Sequence, residues 1–322
     1  MFKSLLSRGR MKTHEYYTGQ SFNNYIIPEK WSCAEGRIET MDGKAVFSHQ
    51  EHPLRVPSYS QPYSGEVTRK ELFNHLWTHP VLPKAIPFCD LSHERDWGFC
   101  CSKEEKESMT DERYKVCIRT SFSFGSFFIG EMVKEGKNEQ HLILTAHLGR
   151  TAQANDGLSG AVVGMEVMRH LQKKKNLRYS YRFLITPSGV GPLPFFQNNP
   201  SVCSSTKGIL HLNFLGLDNP LCVQFRGSAP SLSEALRGTA SGEKTIFFPP
   251  IPDGLNAQSS FYREIPIIHI SRGYKPKGLD FEFFPEYHTH LDSPLLISAG
   301  KLQESRDYIL SVIERIEAKG FL

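Results

Sequence analysis

The chain has 322 residues, 39% of them hydrophobic and 22% charged. At about 150 residues per domain, that length predicts two domains, or one large domain with an insertion. The apolar content excludes a disordered or coiled-coil chain. Lys and Arg number 38 against 34 Asp and Glu, a formal net charge of +4, which is too mild an excess to predict a nucleic-acid partner.

The N-terminal MFKSLLSRGRMK is basic and has no continuous apolar core, so it does not read as a signal peptide; residues 1–12 are expected to form a disordered tail. No apolar run reaches the roughly 18 residues of a membrane span, and no membrane partner is expected. Seven cysteines, at 33, 89, 100, 101, 117, 203 and 222, include no CxxC pair. An odd, scattered set predicts free thiols in a reducing, cytoplasmic compartment.

Residues 13–30 are aromatic and polar. From 31 to 125 short β-like runs alternate with turn residues. GRIETMDGKAVFS carries Asp42-Gly43 as a hairpin signal, and Thr68–Thr78 is amphipathic. This stretch is expected to be an inserted small β-rich domain, with 13–30 and 126–322 forming the main α/β domain. Trp31 and Trp97 are expected to pack between the two.

After residue 139 the pattern becomes α/β. His141–His147 is a buried strand by its continuous apolar run. A loop over 148–156 leads into GLSGAVVGMEVMRHLQKKK, where Leu158, Val162, Met165, Met168 and Leu171 predict the buried face of a helix. Asn155 or Asp156 is the expected N-cap. Tyr181–Thr186 is the next strand, giving a βαβ unit in a mostly parallel sheet. Further strands are expected at 208–214, 221–225 and 266–270. The last helix, 299–318, has Leu302, Ile309, Val312, Ile313 and Ile316 on one stripe.

Ligands of open α/β sheets bind beyond the carboxyl ends of the strands. His147 ends its strand, and Asp156 stands at the mouth of the following helix. His288 lies in PEYHTHLDS, a loop that also holds Glu286, His290 and Asp292. Two histidines and a carboxylate can hold Zn²⁺ or another divalent ion, which activates water and polarises a carbonyl. Equally, a His after a strand can be an ordinary hydrogen-bonded residue, and Asp156 a plain cap.

The segments IIPEKW (26–31), PLRVPSYSQPYSGEVTRKEL (53–72), WGFC (97–100), FFIGE (127–131), TAHLGRTAQANDGLSG (145–160), RFLITPSGVG (182–191) and EYHTHLD (286–292) carry a resemblance over nearly the whole chain. It resembles the aminopeptidase-like proteins of bacterial polysaccharide and sugar-modification clusters, relatives of the di-zinc aminopeptidases. The resemblance implies a phosphorylase/hydrolase-like zinc-exopeptidase sandwich with a mostly parallel central sheet and an inserted β-rich domain. It implies that His147 and His288 are zinc ligands and Asp156 the carboxylate between them.

Other positions depart from that family. Relatives typically read Pro-Glu-Thr-Ile-Gly where this chain has Pro187-Ser188-Gly189-Val190-Gly191, so a carboxylate is missing; serine has no pKa suited to a general base. Asn213 stands where an Asp ligand is usual, and Arg150 where a second histidine is frequent. An acidic substrate-facing run appears as Gly254-Leu255-Asn256-Ala257-Gln258-Ser259. These losses of negative charge argue against two metal ions and leave one, zinc or another divalent ion, on His147, Asp156 and His288, or none. Glu286 and Asp292 remain as candidate bases, and Arg150, Ser188 and Asn213 as substrate-binding residues, Arg150 suited to a carboxylate or phosphate. The expected function is metal-dependent hydrolysis of an amide or related acyl bond in a small peptide or sugar conjugate. The alternative is an inactive binding or scaffold protein of a surface-polysaccharide pathway. The β-rich insertion offers a surface for a homo-oligomer or a lid.

Overall fold

A strand that is apolar on both faces needs cover on both sides of its sheet, and the expected strand at 141–147 is such a strand. The structure, a computed structural model, describes residues 11–23, 25–152, 154–227, 230–239, 245–248, 265–277 and 280–320. The run 254–259 and residues 1–10 lie outside them.

Among the described residues eight strands form one sheet. They are β1 (Lys12–Tyr17), β2 (Ser126–Lys134), β3 (His141–Leu148), β4 (Ser180–Pro187), β5 (Thr206–Leu212), β6 (Cys222–Arg226), β7 (Ile246–Phe248) and β8 (Ile267–Ser271). Their order is β1-β2-β4-β3-β5-β8-β6-β7. The pairs β4–β3, β3–β5, β5–β8 and β6–β7 are parallel. The pairs β1–β2, β2–β4 and β8–β6 are antiparallel. The expected mixed α/β class with a largely parallel central sheet is what forms.

The two faces of the sheet are covered differently. On one, Leu142, Leu144, Ala146 and Leu148 of β3 join Phe183, Leu210, Leu212, Ile268 and Ile270 in the main core. Helices α1 (Leu158–Lys173), α3 (Pro230–Thr239) and α4 (Ala299–Lys319) pack onto it with their buried faces. On the other face Ile143, Leu184 and Ile209 pack under Phe195 and Phe196 of the short helix α2 (Leu193–Asn198). Towards the C-terminal ends of the parallel strands this second face turns polar. Thr145 pairs with His211, His211 with His269, and His269 with Gln224. Cross-strand partners share a face, so these side chains form a polar lane that the apolar core does not fill.

Two details of α1 differ from the sequence expectation. Its N-cap is Gly157, at φ 73°, and no side chain caps it. Asn155 and Asp156 are held in other hydrogen bonds. Its buried face contains Ala161, Gly164, Met165, Met168 and Leu171, while Val162 is 37% exposed. A Cβ on Gly160 would stand 2.0 Å from the Leu212 carbonyl oxygen, and one on Gly164 would stand 2.4 Å from the Phe183 ring. The helix meets the sheet through these glycines, which rotates Val162 outwards.

Residues 30–123 contain a second, antiparallel sheet in the order 45–48, 30–40, 113–123, 63–68. It has its own core, with Ile38, Phe47, Leu72, Phe99, Tyr114 and Ile118. Both tryptophans pack against the core of this unit. Trp97 is sandwiched between Tyr63 and His75, each 4.0 Å away. The Trp31 indole donates to the Ser60 carbonyl at 3.0 Å. No described helix is long and apolar enough to cross a membrane.

Candidate functional site

β3 carries His147 to the edge of the sheet, and the chain leaves through Gly149 at φ 122°, a conformation that L side chains avoid. The loop that follows is held from two directions. The Asp292 carboxylate accepts the amides of Ala154 (3.3 Å), Asn155 (2.8 Å) and Asp156 (3.0 Å). Asn213, just past β5, accepts the Gly157 amide (2.6 Å) and its own neighbour Phe214 (2.9 Å), and donates its Nδ2 to Asp156 Oδ1 at 3.0 Å. Asn155 Oδ1 accepts the Gly216 amide at 3.0 Å. These bonds aim Asp156, 2% exposed, back towards the end of β3.

There His147 Nε2 donates to Asp156 Oδ1 at 3.0 Å, and His288 Nε2 lies 3.7 Å from Asp156 Oδ2. Burial by itself would raise the Asp156 pKa, but the hydrogen bond from His147 and the Asn213 amide hold the carboxyl well below the usual range. His288 is pushed down to about 4 by burial and by the Arg150 guanidinium, which hydrogen-bonds its Nε2. His288 sits at φ 58°, unusual for a non-glycine residue. The 86–88 segment pins it there. Phe88 donates its amide to the His288 carbonyl at 2.7 Å, His290 donates to the Ile86 carbonyl at 3.0 Å, and the Ile86 amide returns to His290 Nδ1 at 3.0 Å. His290 is thereby a structural residue.

The donor set fits a divalent cation in kind. Two imidazole nitrogens and a carboxylate are ordinary zinc donors, and donors on a tetrahedral zinc stand about 3.3 Å apart, between the 3.0 and 3.7 Å seen here. They are, however, hydrogen-bonded to one another, and among the described residues no three such groups stand ready-made around a common point. Binding an ion would displace the His147 Nε2 proton and move Arg150 off His288.

A cavity of about 300 Å³ opens beside this cluster, lined by His147, Arg150, Thr186, Ser188 and Tyr287, and further in by Thr145, His211, His269 and Arg226. The residues singled out from the sequence thus divide. Arg150 and Ser188 are wall residues; Asn213 faces a smaller adjoining cavity, and its polar atoms bond within the protein. Glu286 and Asp292 are not on the main cavity wall. Asp292 is committed to three amides, and Glu286 serves its loop through its carbonyl, which accepts the Thr289 hydroxyl at 2.8 Å. Sequence reasoning missed His211, His269 and Arg226. His211 bonds Thr145 Oγ1 through Nδ1 at 3.0 Å and stacks parallel to His147 at 5.8 Å. Burial holds His211 well below the normal histidine range and takes His269 to about 4, so both rings are neutral. Their signal was present: a histidine in the middle of each of two apolar strands.

The fold matches solved structures along its whole length. A peptidase from Clostridium acetobutylicum superposes with a TM-score of 0.85 at 24% identity, covering 98% of this chain and 74% of that one. BSAP, a zinc aminopeptidase from Bacillus subtilis, gives a TM-score of 0.68 at 16% identity, covering 98% and 86%. The chain has the zinc-aminopeptidase fold. In sequence it is 28% identical over 197 residues to a Clostridium acetobutylicum protein described as a polysaccharide biosynthesis protein with an aminopeptidase-like domain. That match spans 61% of this chain and 45% of the relative's length. The resemblance read from the motifs is borne out by these two kinds of similarity. A family described as "Domain of unknown function (DUF2172)" matches residues 30–121, the unit of the second sheet.

Proposed function

We propose that this aminopeptidase-like chain is a hydrolase that holds one divalent ion of the zinc type and cleaves an amide or related acyl bond in a small peptide or sugar conjugate. The convergence of His147 and His288 on the two oxygens of Asp156, at the carboxyl ends of the parallel strands, carries this reading. His147, Asp156 and His288 would hold the ion, whose contribution is to polarise the acyl group under attack. Asn213 and Asp292 position Asp156. Arg150 and Ser188 contact the substrate from the cavity wall. One carboxylate with two imidazoles offsets the charge of one dication better than that of two. Of the two candidate bases, Asp292 is excluded because its oxygens are occupied by amides, and we keep Glu286, which lies off the wall but adjoins the wall residue Tyr287. The name of the sequence relative supports a place in polysaccharide biosynthesis.

One observation favours a second reading, a binding protein without turnover: no Asp or Glu among the described residues lines the cavity. Elemental mass spectrometry on protein purified without a histidine tag separates the two. The hydrolase reading expects about one ion per chain, lost in His147→Ala, and release of amine from an amide library that stops on chelation and in Glu286→Gln. A bound ion with no turnover on any library member supports the binding reading. Two ions per chain contradict the single-ion assignment, and no ion sinks the hydrolase.

A further inference from the structure

The segment around Phe88 has two sets of neighbours. Phe88 itself holds His288 through its amide, at 2.7 Å to the carbonyl, and its ring lies 5.4 Å from the Arg150 guanidinium. The next residue, Cys89, packs on a small core of Leu54, Ile86 and Cys100. The Cys100 thiol is fully buried and donates a hydrogen bond to the Cys89 sulfur. Cys89 is half-buried and lines a cavity of about 200 Å³ between the 30–123 unit and Thr151, beside Trp31, Ser58 and Phe88. A shielded thiol thus touches one that small molecules reach through a cavity.

Two other cysteines lie nearby, and geometry and charge set them apart. Successive side chains of an extended segment point to opposite sides, so Cys101 leaves Cys100 and joins Ile38 and Phe99 in the core of the second sheet. Cys33 shares the cavity wall with Cys89. Burial pushes Cys33 up to about 11 and Cys101 up to about 12, and takes Cys100 well above the ordinary thiol range. The hydrogen bond from Cys100 acts the other way on Cys89, favouring its thiolate against burial and the adjacent Asp90 carboxylate. Thiolates are the nucleophiles, and a reachable thiolate beside a resolving thiol is the arrangement that responds to oxidants. We propose that Cys89 and Cys100 are a dithiol site for hydroperoxides, and that their disulfide draws Phe88 away from His288.

The Cys89 thiolate attacks one peroxide oxygen. A sulfur–oxygen bond forms, the O–O bond breaks, and hydroxide leaves Cys89 as the sulfenic acid. The Cys100 sulfur then attacks the Cys89 sulfur. The disulfide forms, the sulfur–oxygen bond breaks, and the hydroxyl departs with the Cys100 proton as water. The two sulfurs lose two electrons and the peroxide gains them. A disulfide bond of about 2.05 Å is shorter than a hydrogen-bonded thiol contact, so closing it pulls on Cys89 and on Phe88 beside it. Neither step needs a metal ion or the hydrolase reading.

The test uses the full chain, reduced, chelated, freed of reductant and treated with a small excess of hydrogen peroxide. Titration of the denatured product should show two thiols lost from the seven, and peptide mapping without reduction should join Cys89 to Cys100. Dithiothreitol should restore both. Cys100→Ser should stop at a sulfenic acid on Cys89, captured by dimedone, and Cys89→Ser should leave Cys100 unreacted. Should Cys100→Ser fail to fold, Cys100→Ala and the wild-type map decide. With ¹³C-labelled histidine, the His288 ring resonance, assigned from His288→Gln, should shift on oxidation, because the Phe88 ring lies 5.5 Å from it. His170, exposed on α1, should not move. An unchanged thiol count, a disulfide between other cysteines, or dimedone on another residue overturns the site. A His288 resonance that stays in place on oxidation overturns the displacement of Phe88.

Discussion

Asn213 donates its amide to the same carboxylate oxygen that accepts the hydrogen bond from His147, at 3.0 Å in each case. An aspartate there would set a second carboxylate against Asp156 in a buried site, and like charges so close disfavour one another. Asn213→Asp should therefore destabilise the chelated protein by about 1–3 kcal/mol, the cost of a lost buried hydrogen bond. Zinc should reverse the loss, since the new carboxylate is a better ligand than an amide. Thermal melts with and without zinc measure both effects. An equal melting shift in the two conditions would mean that position 213 does not communicate with a bound ion. Asn213 was legible in the sequence as a missing ligand and as a candidate substrate contact. Its positive role, aiming Asp156, depends on Gly157, Phe214 and Asp156 meeting around one amide, and no local pattern encodes that.

At the scale of elements, α1 joins the loop of Asp156 to the sheet. Its position is set by Gly160 and Gly164, which let the helix backbone approach Leu212 and Phe183. Gly164→Ala should cost about 1–3 kcal/mol through overpacking against the Phe183 ring. Val162→Gln, on the exposed side, should stay within about 0.5 kcal/mol. Chemical denaturation of the two variants checks the pair. A larger loss from Val162→Gln would show that the helix is rotated from the orientation described. The existence and length of this helix followed from its periodicity, but its buried face did not. Counting apolar residues treats glycine as neutral, whereas here the glycines are the contact.

Across the whole molecule, the unit spanning 30–123 reaches the site through residues 86–88. Phe88 bonds the His288 carbonyl through its amide, and its ring lies 5.5 Å from the His288 imidazole and 5.4 Å from the Arg150 guanidinium. Groups behind a metal ligand commonly set its affinity by an order of magnitude or more. Phe88→Ala should weaken zinc binding ~10-fold in competition with a chromogenic chelator, with the melting transition of the chain little changed. Unaltered affinity would reduce the 86–88 contact to packing.

The sequence by itself determined the α/β class, the main strands and helices, and the histidines and carboxylate on which the site is built. Those features are local: hydrophobic periodicity, strand ends and short motifs. Only the tertiary structure decided what surrounds them. His211 and His269 share a lane because β5 and β8 pair in one register, and Arg226 joins it because β6 runs antiparallel beside them. Asp292 turned from a candidate base into an anchor because three amides from a loop over 130 residues away converge on it. Register and convergence are fixed by the packing of the whole sheet against its helices, and a single element read along the chain does not contain them.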